Sequence, residues 1–230
     1  MDRKMFETGL LAKKEEMKDE AHSEALDTDK KRDELLADMA SKKAELAEIE
    51  GKPESSSEKK ELFKIWRTVE LGTGLKTAKD FEKALKKDNR EISDYAKDML
   101  KEVEKEISES ASYEKREIDL VEATPAELGF PKGGTLEQIY EAAKKHGLEK
   151  CPREAGPQSA IQYEDQPKGE YRLIGMDPVI DSGGGRRVFR VDRIDDGKRW
   201  LTPSYDRPGR VWFPGARFVF VRRKKLELKP

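Results

Sequence analysis

Cys151 is the only cysteine in the chain, and His146, five residues before it, is one of two histidines. They are the one nucleophile-and-base pair the sequence offers. A thiolate forms near neutral pH only where a base or positive surroundings lower the thiol pKa. His146, Lys144, Lys145, Lys150 and Arg153 are the groups able to do that, with Glu149 or Glu154 to orient the imidazole. No local catalytic signature surrounds the pair, so catalysis is the weaker reading and a half-buried structural cysteine the simpler one. His22 sits in a highly charged stretch and reads as solvated. Three Cys and His side chains in all are too few for a four-ligand structural zinc site, and no cofactor is expected.

Two further patterns bear on ligands. Gly183-Gly184-Gly185-Arg186-Arg187 has the residue types to hold a phosphate on backbone amides and guanidinium groups. It lacks the Gly-Lys-Ser/Thr ending of a P-loop and precedes a strand pattern, so a flexible hairpin loop is the simpler expectation. Asp192, Asp195, Asp196 and Gly197 have the wrong spacing for a calcium loop and read as a polar turn.

The C-terminal stretch carries the strongest binding signal. Residues 181–230 hold 14 basic and 6 acidic side chains, a net of +8, in a chain whose formal net charge is −1. Arg186, Arg187, Arg190, Arg193, Lys198, Arg199, Arg207 and Arg210 interleave with Trp200, Tyr205, Trp212 and Phe213. A small sheet bearing arginine and aromatic side chains can hold phosphates and stack bases. The same residues also serve as ordinary core and solvent-facing positions, and no ribonucleoprotein, KH or cold-shock signature is present.

The elements that position these residues follow from composition and period. Charged residues are 41% and hydrophobic ones 35%, against roughly 25% and 45–50% in an average globular domain. Such a chain buries one modest core and has long solvated helices. Residues 2–50 read as helix, with a break near Asp27-Thr28-Asp29 and a narrow stripe of Leu35, Leu36, Met39, Leu46 and Ile49. That spacing fits a helical hairpin or a coiled-coil arm, and oligomerisation through it is open. Gly51 to Ser57 is a linker. Residues 58–71 read as a short helix with Leu62, Phe63, Trp66 and Val69 on one side, Trp66 anchoring a helical core. Thr77 with Asp80 opens a helix, and 90–112 gives the best one, with Ile92, Ala96, Met99, Val103 and Ile107 in step.

A domain boundary is expected near 117. Beyond it, Thr124-Pro125-Ala126-Glu127 and Thr135-Leu136-Glu137-Gln138 each signal a helix start, the second helix ending at Gly147. From Gln158 the period is two. Strands are expected over 158–163, 169–176, 187–194, 198–202 and 217–223, in an antiparallel meander with a hairpin at Asp195-Asp196-Gly197.

Cys151-Pro152-x-Glu154-x-Gly156-Pro157-Gln158, with Gln166-Pro167-x-Gly169-Glu170 and Phe218-Val219-Phe220, resembles a small C-terminal domain of unknown function found in uncharacterised bacterial proteins. The resemblance covers about residues 120–225 and implies no activity and no site residues.

The expected fold is therefore α+β: a charged helical region over 1–117, then over 118–230 one or two helices on an antiparallel sheet. The expected function is non-enzymatic, a cytoplasmic interaction protein whose helical arm engages a protein partner and whose C-terminal domain binds a second protein or peptide. A nucleic-acid module using Arg186, Arg187, Arg190, Arg193, Lys198, Arg199 and Trp200 is the alternative, and an enzyme using Cys151 and His146 the second. The first residues lack the apolar run of a signal peptide, and no stretch approaches the ~18 apolar residues of a membrane span.

Overall fold

The structure, a computed structural model, describes residues 63–223 apart from 112 and 182. These belong to a compact unit running from Pro53 to Pro230. The helical hairpin or coiled coil expected over residues 1–50 lies outside the described residues.

The described chain is organised around a mixed sheet of nine strands: β1 (Ile65–Leu71), β2 (Arg90–Ile92), β3 (Arg116–Ala123), β4 (Leu148–Glu149), β5 (Glu170–Ile174), β6 (Val179–Ile180), β7 (Arg186–Arg193), β8 (Arg199–Tyr205) and β9 (Phe218–Arg222). Four helices accompany it among the described residues: α1 (Ala78–Lys87), α2 (Asp94–Glu109), α3 (Leu136–Lys145) and α4 (Ala155–Gln162). The main path is β1-β3-β9-β5-β7-β8-β2, with β4 on β9 and β6 on β7. β2 and β8, and β5 and β9, run parallel, and the other pairs are antiparallel.

This overturns the expected helical region followed by a small antiparallel sheet. The sheet-rich unit begins well before 117, the expected division at 117/118 falls inside β3, and β3 pairs with β1. The 65–71 segment reads as a helix on its Trp66 and Val69 spacing, but short apolar runs carry an ambiguous period. In the sheet, Val69 and Leu71 alternate into the core with no exposure, and Thr68 and Val69 supply the β-branched content strands favour. Trp66 is half-buried in β1, edge-on to Tyr163, rather than anchoring a helical core. Residues 158–163 are not a strand. Residues 158–162 complete α4 and Tyr163 is its C-cap, while Pro157 stands in the first turn and needs no amide hydrogen.

Other signals held. Thr77–Asp80 and Thr135–Gln138 both form reciprocal capping boxes. Thr124 and Glu127 make the same bonds, yet the chain closes into a turn at Gly129 rather than a helix. Gly197, at φ 90°, closes the β7–β8 hairpin. Phe218, Val219 and Phe220 are fully buried, because β9 is central and covered on both faces. On one face α4 packs against β1, β7 and β8, with α1 and α2 beside it. On the other, Tyr140 of α3 meets Phe220, and Trp212 from the loop before β9 meets Phe218. No helix among the described residues is long and apolar enough to cross a membrane.

Candidate functional site

Cys151 follows β4 and forms a bridge with Met176, its amide bonding Gly175 O at 2.7 Å. The side chain is buried, and its thiol donates to Val219 O at 3.4 Å, into the middle of the sheet. Burial pushes the thiol pKa upward, the opposite of what a nucleophile needs. His146 is exposed at the C-cap of α3, with its ring edge-on to Phe63 at 5.2 Å. Arg153 is engaged with Glu106 and Lys150 with Asp177, so neither cation is directed at the sulfur.

The basic set is split by strand alternation. Cross-strand partners share a face, and the pairs Arg187–Tyr205 and Arg193–Arg199 place Arg187, Arg193 and Arg199 with Phe189 and Val191, under α4. Arg186, Arg190 and Trp200 stand on the opposite face. Arg186, Arg190, Arg193, Lys198 and Arg199 each find a partner within the chain. Arg186 binds Asp206 at 2.9 Å and Glu137 at 3.2 Å. Arg190 binds Asp192 at 2.5 Å and lies over the Tyr171 ring. Arg193 donates to Gln166 O, Lys198 reaches Asp196 at 3.8 Å, and Arg199 bonds Asp88 through its backbone and its carboxylate. Trp200 is half-buried, and its Nε1 finds no acceptor among the described residues. The structure thus does not gather these residues into one open basic surface.

The triglycine stretch is clamped on Asp181. Gly183 and Gly185 donate to its carboxylate at 2.9 and 2.8 Å, and Gly184 donates to its carbonyl at 2.9 Å. With those amides occupied, no cradle remains for a phosphate. Asp181 also binds Arg187, and these bonds, the Arg187 one first, hold its carboxyl below the usual range. Arg187 lies over two tyrosine rings, 4.0 Å from the Tyr95 centroid and 5.2 Å from that of Tyr205. Tyr95 and Tyr205 remain 46% and 43% exposed, an unusual outlay of aromatic surface. Sequence reading missed Tyr95 because it lies 92 positions before Arg187 in sequence, on the first turn of α2.

A cleft of about 500 Å³ opens between α3 and β4, floored by Leu136, Tyr140, Leu148 and Phe220. Glu137, Glu141, Glu149 and Asp177 on its rim match Lys144, Lys150, Arg186 and Arg223 in number, so it selects no charge. No cluster of three or more His, Cys, Asp or Glu among the described residues is placed to hold a metal ion.

Two polar nodes explain the remaining residues of the 151–170 stretch. Glu154, 3% exposed, accepts from Gly72 N–H at 2.9 Å and Gln158 Nε2 at 3.0 Å, with Tyr113 Oη at 3.2 Å. Burial, then the Glu154 charge, pushes Tyr113 up to about 12. Gln166 donates to Glu170 O and Val191 O while receiving the buried Arg90 guanidinium at 3.4 Å. Both nodes fasten loops to the sheet.

Compared with family models, curated proteins and solved structures, the chain matches none.

Proposed function

We propose that the chain is a non-enzymatic interaction protein of the cytoplasm, and that its described unit docks a partner protein or peptide. The observation that carries this reading is the exposed Tyr95–Arg187–Tyr205 stack. It is held in place by Asp181, and tyrosine and arginine are the residue types that dominate binding energy at protein interfaces. The stack is already assembled in the unbound chain, so a partner would not have to order it. The stripe at 35–49, which lies outside the described residues, remains the expected contact for a separate partner.

The nucleic-acid alternative draws less support, since the cations on which it rested are engaged within the chain, by carboxylates or, for Arg193, by backbone carbonyls. The enzyme alternative draws least, since the Cys151 thiol is buried and held protonated.

The test uses the full chain, immobilised and exposed to native lysate. Partners retained by the native protein are expected to be lost from a Tyr95→Ala/Tyr205→Ala variant. They should be kept by Tyr95→Phe/Tyr205→Phe and by Ile194→Asp, a change at a distant exposed apolar position. Circular dichroism confirms folding of each. Equal recovery by the native and double-alanine proteins would sink the reading.

A further inference from the structure

The chemistry around the tyrosine stack narrows the partner. Immediately after β8 the chain makes a tight turn, Arg207-Pro208-Gly209-Arg210, closed by Arg210 N–H to Arg207 O at 3.0 Å with Gly209 at φ 73°. Arg210 turns back to donate to Tyr205 O and to lie over Trp212. The turn is therefore fixed beside Tyr205. Arg207 projects from it, exposed. Among the described residues of 181–223, Arg207 is the one cation with no carboxylate, backbone or ring partner. The others are all engaged.

The geometry points to an acidic segment of a partner protein as the occupant of this surface. Its carboxylates pair with Arg207, and an apolar side chain lies on the exposed parts of Tyr95 and Tyr205. This rests on the docking reading above. Arg187 adds no net charge because Asp181 neutralises it, so the complementarity comes from Arg207. One free cation cannot supply the several phosphate contacts by which a nucleic acid is held. One arginine beside two tyrosines is instead the composition of a protein hot spot.

Fluorescence anisotropy on the full chain tests this with three labelled probes: a random copolymer of glutamate and tyrosine, polyglutamate, and single-stranded oligothymidylate. The copolymer is expected to bind more tightly than polyglutamate, and oligothymidylate not to bind at physiological salt. Arg207→Glu should weaken copolymer binding by about tenfold, the scale of a hot-spot loss, while Arg207→Lys retains most of it. Tyr95→Ala/Tyr205→Ala should weaken it as well. Unchanged copolymer binding by Arg207→Glu, no copolymer binding, or tighter binding of oligothymidylate would each overturn the proposal. The two levels separate in the lysate assay. If Arg207→Glu keeps partners that the tyrosine variant loses, the acidic occupant falls and the docking site stands. If the tyrosine variant loses none, the docking site itself falls.

Discussion

Gln162 and Glu70 meet as neighbouring strands do: the Gln162 carboxamide accepts from Glu70 N–H and donates to Glu70 O, both at 2.9 Å. β1 is an end strand, with outward backbone groups that form a template for another chain. Gln162 is the last rung of a ladder along one side of α4. Gln162 donates to Gln158, and Gln158 donates to Glu154, both at 3.0 Å, while Glu154 takes Gly72 N–H just past the end of β1. At the other end of the sheet, β8 is covered in part by β2 and carries Pro203, which has no amide hydrogen to offer. Sheet ends blunted in this way leave little free backbone for strand addition, so the proposed docking would have to run through side chains.

Gln162→Ala removes both bonds to Glu70. The expected loss is about 1–2 kcal/mol, two part-buried hydrogen bonds at the usual net value, read as a lower urea midpoint. Self-association should rise with concentration in sedimentation. A variant as stable as the native protein and with the same sedimentation behaviour would show that the carboxamide does not guard the edge.

Gly156 allows α4 to approach the sheet. A Cβ there would lie 2.5 Å from Phe189 Cδ2 and 2.7 Å from Cγ, inside any real contact distance. Gly156→Ala is expected to destabilise by about 1–3 kcal/mol, the range for overpacking a filled core. Phe189→Leu in the same chain should recover part of the loss. If the second change adds its own full cost instead, the clash is not with Phe189.

The strands β7 and β8, flanking the Asp195-Asp196-Gly197 turn, and the apolar β9 were legible in sequence, as were the capping boxes of α1 and α3. What misled was length and ambiguity. β1 and α4 have seven and eight residues, too few for period to separate helix from strand, and only Val69 and Leu71 packing under α4 decides the first case. The parallel pairings of β5 with β9 and β2 with β8 join distant segments and leave no local trace. The basic set was visible as residue types, but its fate depended on Asp88, Glu137 and Asp206, which the fold alone brings to it. Tyr95 was unmarked for the same reason.

Cys151 makes stability depend on alkaline pH. Its folded pKa is raised by burial above the unfolded value of about 8.5. Below that pH both states hold the proton and nothing is lost. Above it the unfolded chain ionises first, so stability falls, by at most about 1.4 kcal/mol per pH unit from this group. Urea midpoints from about pH 7.5 to 10 should decline, and Cys151→Ala should flatten that decline. Iodoacetamide at about pH 8.5, an ordinary thiol's pKa, should label the native thiol far more slowly than the urea-unfolded one. Rapid native labelling would return Cys151 to the list of reactive groups.

Asp181 governs the tyrosine stack at the acid end. Its carboxyl is held below the ordinary value of about 3.9 by Arg187 and by the Gly185 and Gly183 amides. The stability it contributes is present above the unfolded pKa and is lost as pH falls through the folded one. Asp181→Asn imposes that loss at neutral pH: the amide oxygen can still accept from Gly183 and Gly185, but an NH2 replaces the oxygen that binds Arg187 and leaves that charge uncompensated. The Arg187 Nε–H proton, close to both rings in the native protein, should shift in the variant spectrum as those contacts open. Binding of the glutamate–tyrosine copolymer should weaken with it, while Arg207 keeps its exposure. If the Arg187 resonance and the binding are both unchanged, Asp181 is not what holds the stack together.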